Sequence, residues 1–289
     1  MTVHLPVMAR EVVEMLDISP GGTYIDATVG LGGHAERMLA KMKGGRLIGI
    51  DRDEAALNAA RERLKDGQVI LRQGKFSDLE DLLSGLGVHA VDGVLFDFGV
   101  SMMQFKSPGR GFSFSSDEPL DMRMDRRQNL TAGDIVNTYS ERELERILEE
   151  YGEERFARKI AKTLVALRVK QSITTCVELA GIVSTVIRRR GKHHPATKTF
   201  QALRIAVNDE IAEIAKGLAG AIGLLRPGGR LCTIAYHSLE DRTVKNFMRN
   251  AQHEGLIRIL TKKPLTPSYD EIRSNPSSRS AKLRGAEKV

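Results

Sequence analysis

Two cysteines, Cys176 and Cys232, are all that the chain contains, and they stand far apart. That scarcity excludes a disulfide framework and a cysteine-based zinc cluster, and it fits a reducing compartment. No group of histidine, cysteine and carboxylate side chains has metal-ligand spacing, so no metal is expected. Uninterrupted apolar runs long enough to span a membrane are missing as well. The stretch Met1 to Leu16 holds Arg10, Glu11 and Glu14 where a signal peptide would need an apolar core. A soluble, cytoplasmic protein without a membrane partner is therefore expected. Nor is any segment polar enough to be disordered by composition, since the hydrophobic share is 41%. The 289 residues suffice for one large α/β domain carrying a sizeable insertion.

What is present is charge, unevenly placed. The net charge is +7, yet residues 1–104 hold 11 basic and 15 acidic side chains. Residues 105–200 hold 18 basic and 13 acidic, and residues 258–289 hold 8 and 3. Such asymmetry suits a phosphate-binding surface in the middle and tail, although a solvated basic face would give the same count.

The first hundred residues alternate short aliphatic strands with helical stretches. Strands are expected at Thr23–Thr28, Arg46–Asp51, Val69–Arg72 and Val91–Asp97, with helices at His34–Met42 and Glu54–Leu64. Ser77 and Glu80 have the capping-box spacing that would open a third helix. This alternation indicates a doubly wound, mostly parallel sheet. From Gln104 to about Thr199 it stops, giving way to a Gly/Ser/Pro/Phe segment and amphipathic helices with capping boxes at Ser140 and Thr175. A long helix from about Phe200 to Leu225 and a strand Arg230–Tyr236 then resume the α/β pattern. The expected organisation is an α/β domain of residues 1–107 and 200–289, interrupted by an all-α insertion of residues 108–199.

The glycine turn at Gly30, Gly32 and Gly33 follows directly on the first strand, where a backbone without side chains can approach a ligand. Asp51 ends the second strand, placed to accept hydrogen bonds from ribose hydroxyls. Together they indicate an adenosine-containing cofactor, either a dinucleotide or S-adenosylmethionine. Ala35 stands where the dinucleotide fingerprint has its third glycine, a variant that keeps that reading open. Asp26 favours S-adenosylmethionine, because an acidic group there suits an ammonium and not a pyrophosphate. Asp97, at the end of the fourth strand, could accept hydrogen bonds from an exocyclic amine and relieve the charge that develops on methyl transfer; a turn aspartate is the competing reading. Cytosine C5 chemistry would need a thiolate, and both cysteines fall in segments that read as buried. Ser238 reads first as a helix cap. His237 reads equally well as a catalytic residue lining the site or as a structural histidine. His193 and His194 precede the Phe200 helix in a segment too polar for its place.

At these residues the chain closely resembles the bacterial 16S ribosomal RNA cytosine-N4 methyltransferases of the MraW/RsmH type. The resemblance is carried by His4–Met8, Tyr24–His34, Ile50–Asp53, Asp97–Ser101, Arg110–Phe114, Pro119–Asp125, Tyr151–Phe156, His194–Arg204, His237–Arg242 and the tail around Arg279 and Ser280. It implies a class I S-adenosylmethionine-dependent methyltransferase, Rossmann-like, with an inserted helical substrate-recognition domain. It implies a cofactor site of Gly32, Gly33, His34, Asp51, Phe76, Asp97 and Gln104, with Phe76 near the adenine. The implied substrate is the N4 amine of a cytidine in the decoding region of the small ribosomal subunit. Met102 and Lys106 stand where the family usually carries serine and aspartate. No aromatic residue lies three places after Asp97, so Phe112 or Phe114 is expected to stack on the target base, with Ser238 as a further substrate contact. The rival readings are an amine methyltransferase acting on DNA or protein, a non-catalytic RNA-binding module, and a nicotinamide oxidoreductase.

Overall fold

The computed structural model describes residues 5–64, 69–187 and 194–289, and within the helix Met102–Lys106 it leaves the side chains of Met102 and Lys106 undescribed. His4, His193 and the two departures at Met102 and Lys106 thus lie outside what can be described. Two compact units share the chain, one of residues 1–99 and 211–289, the other of residues 100–210.

The first unit is built on a seven-stranded sheet. Its strands are β1 (Thr23–Asp26), β2 (Arg46–Asp51), β3 (Val69–Gln73), β4 (Val91–Asp97), β5 (Leu225–Ala235), β6 (Ile257–Ile259) and β7 (Lys282–Lys288). They lie in the order β3-β2-β1-β4-β5-β7-β6. The first five run parallel, and β7 runs antiparallel to both β5 and β6. Apolar strands such as Arg46–Asp51, buried from Leu47 to Ile50, need cover on both faces. One face is covered around Ile25, Ile48, Phe96 and Leu218, the other around Val12, Tyr24, Met38 and Leu95. Parallel register sends β1, β2 and β4 out at one edge, so that Asp26, Asp51 and Asp97 end three neighbouring strands. The bend over Arg226–Gly229 belongs to β5 as an irregularity, with Val91 opposite Leu225 and Gly93 opposite Arg230.

Two sequence expectations are corrected here. The Ser77 capping box does not form: Phe76–Asp78 is a 3-10 turn, and the helix Leu79–Ser84 begins after it without a side-chain cap. Asp78, not Ser77, stands directly before the first residue of that helix, and Phe76 in the turn is buried against Phe96 and Phe98. The helix expected over Phe200–Leu225 is two helices, Thr197–Asn208 and Glu210–Leu224, separated by Asp209 in the left-handed region at φ 50°. The first of them packs within the second unit, which is why that unit extends past residue 199.

The second unit is helical, with Ser140 and Thr175 capping their helices reciprocally with Glu143 and Glu178 as expected. Residues 107–131 carry no helix or strand, so their backbone groups must find distant partners. Leu120 N–H donates to Thr174 O, Cys176 N–H to Glu118 O, and Gly133 N–H to Leu120 O. Asn208, itself only 2% exposed, clamps the centre. Its Oδ1 accepts from Met124 N–H at 2.8 Å, and its Nδ2 donates to Met122 O at 2.8 Å and Arg204 O at 2.9 Å. Replacing Asn208 with Ala would strand a buried donor and a buried acceptor. We expect the Asn208→Ala protein to lose about 3 kcal/mol of stability, read from its urea denaturation midpoint; an unchanged midpoint would refute the clamp.

Candidate active site at the carboxyl edge of the sheet

After β1 the chain stays in the sheet for a few residues, with Ala27 N–H on Leu95 O and Val29 N–H on Ile50 O. It then turns through Gly32, at φ 78°, into the helix Gly33–Leu39. A side chain at Gly32 would be strained in that region and would touch Leu64 at 3.0 Å. Asp51 fixes the loop from outside: Oδ2 accepts from Gly30 N–H at 2.9 Å and Oδ1 from Asp53 N–H at 2.9 Å. Burial nevertheless pushes its carboxyl up to about 6.

Asp26 is 1% exposed. Among the described residues its Oδ1 accepts only a long bond from Thr28 N–H, 3.3 Å, and its Oδ2 is buried with no partner. Desolvation raises this carboxyl to about 7, His34 opposing the rise and the charges of Asp97 and Asp51 adding to it. A buried acceptor left open in this way is costly unless a ligand donor completes it.

Asp97 is held from three sides. Its N–H donates to Thr28 Oγ1 at 2.7 Å. The Tyr236 hydroxyl donates to its Oδ1 at 2.7 Å. Its Oδ2 lies 3.5 Å from His34 Nε2, an electrostatic contact too long for a good hydrogen bond. Burial alone would lower the His34 imidazole, but Asp97 and then Asp26 outweigh it and raise the group above its ordinary value. Both ring nitrogens of His34 are buried without a hydrogen-bond partner among the described residues. Burial, with Asp97 next to it, keeps Tyr236 protonated far into the alkaline range, so it acts as a donor to Asp97.

Tyr236 was not among the residues singled out in the sequence. It follows β5, and only the pairing of β4 with β5 brings it to Asp97. Its own N–H donates to Glu240 Oε2 at 2.7 Å. His237, not Ser238, caps the helix Ser238–His253: His237 Nδ1 accepts from Glu240 N–H at 3.3 Å, while Nε2 stands 3.0 Å from Glu240 Oε1. The imidazole thus replaces the hydroxyl as cap, and its ring faces a fully buried carboxylate of its own turn.

Phe76, 8% exposed, packs edge-on to Phe96 with ring centres 5.5 Å apart, while the Arg52 guanidinium lies 5.9 Å from its centre. Gly217 lies so close that a Cβ there would meet the Phe76 ring at 2.6 Å. In the second unit, Gln104 closes a capping box with Ser101, its Oε1 accepting from Ser101 N–H at 3.0 Å. There too, Phe112 is buried in the core, 6.2 Å from the Phe105 ring, and Phe114 is partly buried with one face stacked on His194 at 4.4 Å. The two thiols are inert: burial pushes Cys176 up to about 12 and Cys232 higher still.

The three aligned carboxylates, the open Asp26 oxygen and the His34 ring form a site suited to a ligand bearing both a cation and hydrogen-bonding groups. Among the described residues no helix is long and apolar enough to cross a membrane.

Comparison with known proteins bears on what that ligand serves. The model of the MraW methylase family matches residues 1–289. A Persephonella marina protein named ribosomal RNA small subunit methyltransferase H is 50% identical over 294 residues, covering 100% of both chains. One of the same name from Caldicellulosiruptor saccharolyticus is 46% identical over 304 residues, covering 99% of each. Solved proteins from Clostridium thermocellum, assigned as an rRNA-methylase, and from Streptococcus mutans, assigned as a methyltransferase and bound to SAH, superpose with TM-score 0.50. Both are 13% identical and cover 99% of this chain and 100% of their own, a likeness that bears on the fold alone. The fold is that of the class I S-adenosylmethionine-dependent methyltransferases, and with the family matched from end to end the chain belongs to the MraW methylase family.

Proposed function

We propose that the chain uses S-adenosylmethionine to methylate the exocyclic N4 amine of a cytidine in the decoding region of the 16S RNA of the small ribosomal subunit. The observation that carries this reading is the Asp97 carboxylate, fixed at the end of β4 by the Tyr236 hydroxyl on one oxygen and turning the other toward His34. Full-length relatives bearing a small-subunit ribosomal RNA name support the substrate class.

The residues fit the cofactor. Asp26 Oδ2, buried and open, suits the methionine ammonium. Asp51 suits the ribose hydroxyls, Gly32 and Gly33 allow close backbone approach, and Phe76 offers an apolar wall to the adenine. His34 and Gln104 are assigned to the same ligand on the family pattern. When bound, the cofactor supplies a methyl group made electrophilic by a sulfonium.

The protein's own task is to make a poor nucleophile competent. The lone pair of a cytosine amine is delocalised into the ring. A carboxylate accepting one of its N–H bonds favours the pyramidal nitrogen and takes up positive charge as the bond to carbon forms. Asp97 performs this role, and Tyr236, by occupying the second oxygen, fixes which lone pairs face the amine. Holding the amine in line supplies the rest of the acceleration. His237 is assigned to the turn that positions Tyr236, while Phe112, Phe114 and Ser238 remain candidate substrate contacts. Phe114 is the more accessible of the two rings.

Asp97→Asn is expected to cut ribosomal RNA methylation by ~10²–10³-fold, with S-adenosylhomocysteine binding retained. Tyr236→Phe should lower kcat by about tenfold, the loss of one hydrogen bond to a charged group, with the KM for RNA unchanged. Equal turnover by Tyr236→Phe and the parent would remove Tyr236 from the mechanism.

Asp26 gives a pH dependence. Its folded value, about 7, lies above the ordinary 3.8, so the ligand-free protein loses stability as pH rises through that interval. Pairing with an ammonium requires the ionised form. S-adenosylmethionine affinity should therefore strengthen on going from below pH 7 to above it, with release of a proton at the lower pH. Isothermal titration in buffers of different ionisation enthalpy measures both effects, and Asp26→Asn should abolish them; a flat profile in the parent would contradict the ion pair.

A further inference from the structure

Beyond the methyl-transfer site, the first unit carries a second surface at the same edge of the sheet, formed by the chain that returns to it through the helix Tyr269–Ser274 and the 3-10 turn Pro276–Ser280. Tyr269 is 79% exposed, and its hydroxyl has no partner among the described residues. Burying an aromatic ring is normally favourable, so one standing out this far is available to stack on a flat partner. Arg273 lies four residues on, over the same face of the helix. Arg279 projects from the following turn, whose Ser278 is buried and donates to Asn275 O at 2.8 Å. Lys262 and Lys263 stand exposed where the chain leaves β6.

None of these four cations has a carboxylate partner among the described residues. Their neighbours are already engaged. Lys282 and Arg284 bind Asp241, Arg258 and Arg230 bind Glu287, and Glu271 accepts from Met8 N–H at 2.6 Å. The exposed Asp270, and Glu271, which keeps its charge while accepting that N–H, are what offset the group locally. The surface is also rigidly presented. The Glu271 bond and that from Asn275 Nδ2 to Leu5 O, 3.1 Å, pin the helix from the face opposite Tyr269. The segment enters β7 at Lys282, which pairs with Ala235, the residue before Tyr236. The segment that carries the ring and the two arginines therefore meets the sheet at the edge that holds Asp97, and Leu265, two residues after Lys263, pairs with Leu283 next to Lys282.

We infer that Tyr269, Arg273 and Arg279, extended by Lys262 and Lys263, form a docking surface for single-stranded RNA flanking the target nucleotide. Tyr269 stacks on an unpaired base, and the arginines and lysines hold the neighbouring phosphates. Stacking on an aromatic platform beside a cationic track is the general means of holding single strands without reading their sequence. This inference rests on ribosomal RNA being the substrate.

The test is RNA binding by the full-length protein, measured by filter binding across a salt series. The probes are a 16S RNA fragment containing the decoding region and the assembled small subunit. Methylation of that RNA and S-adenosylhomocysteine affinity are measured in parallel. Tyr269→Ala should weaken RNA binding about 5- to 100-fold, Tyr269→Phe should restore it, and neither should change S-adenosylhomocysteine affinity. Arg273→Gln with Arg279→Gln should reduce the slope of log affinity against log salt by about 1.4. Parental RNA affinity and salt slope in all variants would overturn the docking surface while leaving the proposed reaction standing. Loss of binding to assembled subunits but not to naked RNA would overturn it in favour of a protein partner. A parent protein that binds this RNA without methylating it would overturn the proposed reaction alone, and one that does not bind it would overturn both.

Discussion

Three like charges at the ends of three adjacent strands are the constraint on which this site depends. Parallel pairing of β2, β1 and β4 places Asp51, Asp26 and Asp97 along one edge. Burial then raises the two that face inward, Asp26 to about 7 and Asp51 to about 6. Moving Asp26 that far from 3.8 corresponds to on the order of 4 kcal/mol of disfavoured ionisation. The fold accepts this because both faces of the sheet are covered by apolar side chains. Asp53, next to Asp51, caps a helix through Ala55 N–H. What remains is a cluster of negative charge that a cationic ligand relieves. His34 makes up part of the deficit, since Asp97 and Asp26 raise its imidazole, but among the described residues it has no hydrogen bond of its own.

The elements that make this edge were legible because their signals are local. Short aliphatic runs ending in an aspartate, each followed by glycine or a helix start, locate β1, β2 and β4 almost to the residue. The glycine turn needs only its own dihedral angles. Tyr236 was hidden for the opposite reason: its partner is 139 residues away, and no local pattern distinguishes a tyrosine at a strand end from an ordinary core residue. His237 was hidden by a strong competing prior, because serine beside it is the better cap in general, yet the ring Nδ1 reaches Glu240 N–H from one position earlier. Asp209 shows the limit of periodicity. A helical pattern runs through it, but a single left-handed residue ends the first helix. The segment 107–119 reads as loop and is loop, and the irregular run goes on to residue 131, its order coming from bonds to residues such as Thr174 and Asn208 that composition cannot reveal.

Opposite requirements meet at the same edge. A sulfonium and an ammonium call for negative charge, and the first 104 residues supply it with 15 acidic against 11 basic side chains. A polyanionic RNA calls for the reverse, and residues 258–289 supply 8 basic against 3 acidic. These fields do not cancel, because exposed charges are screened over about 8 Å at physiological salt while the carboxylates are buried. Topology makes the arrangement possible. By returning antiparallel beside β5, β7 draws the basic segment before it to the carboxyl edge, where a further parallel strand would have brought its preceding loop to the other end of the sheet. The reversed strand thus sets cations for a phosphate backbone beside the acidic strand ends. The sign change along the sequence becomes a sign change across a single site.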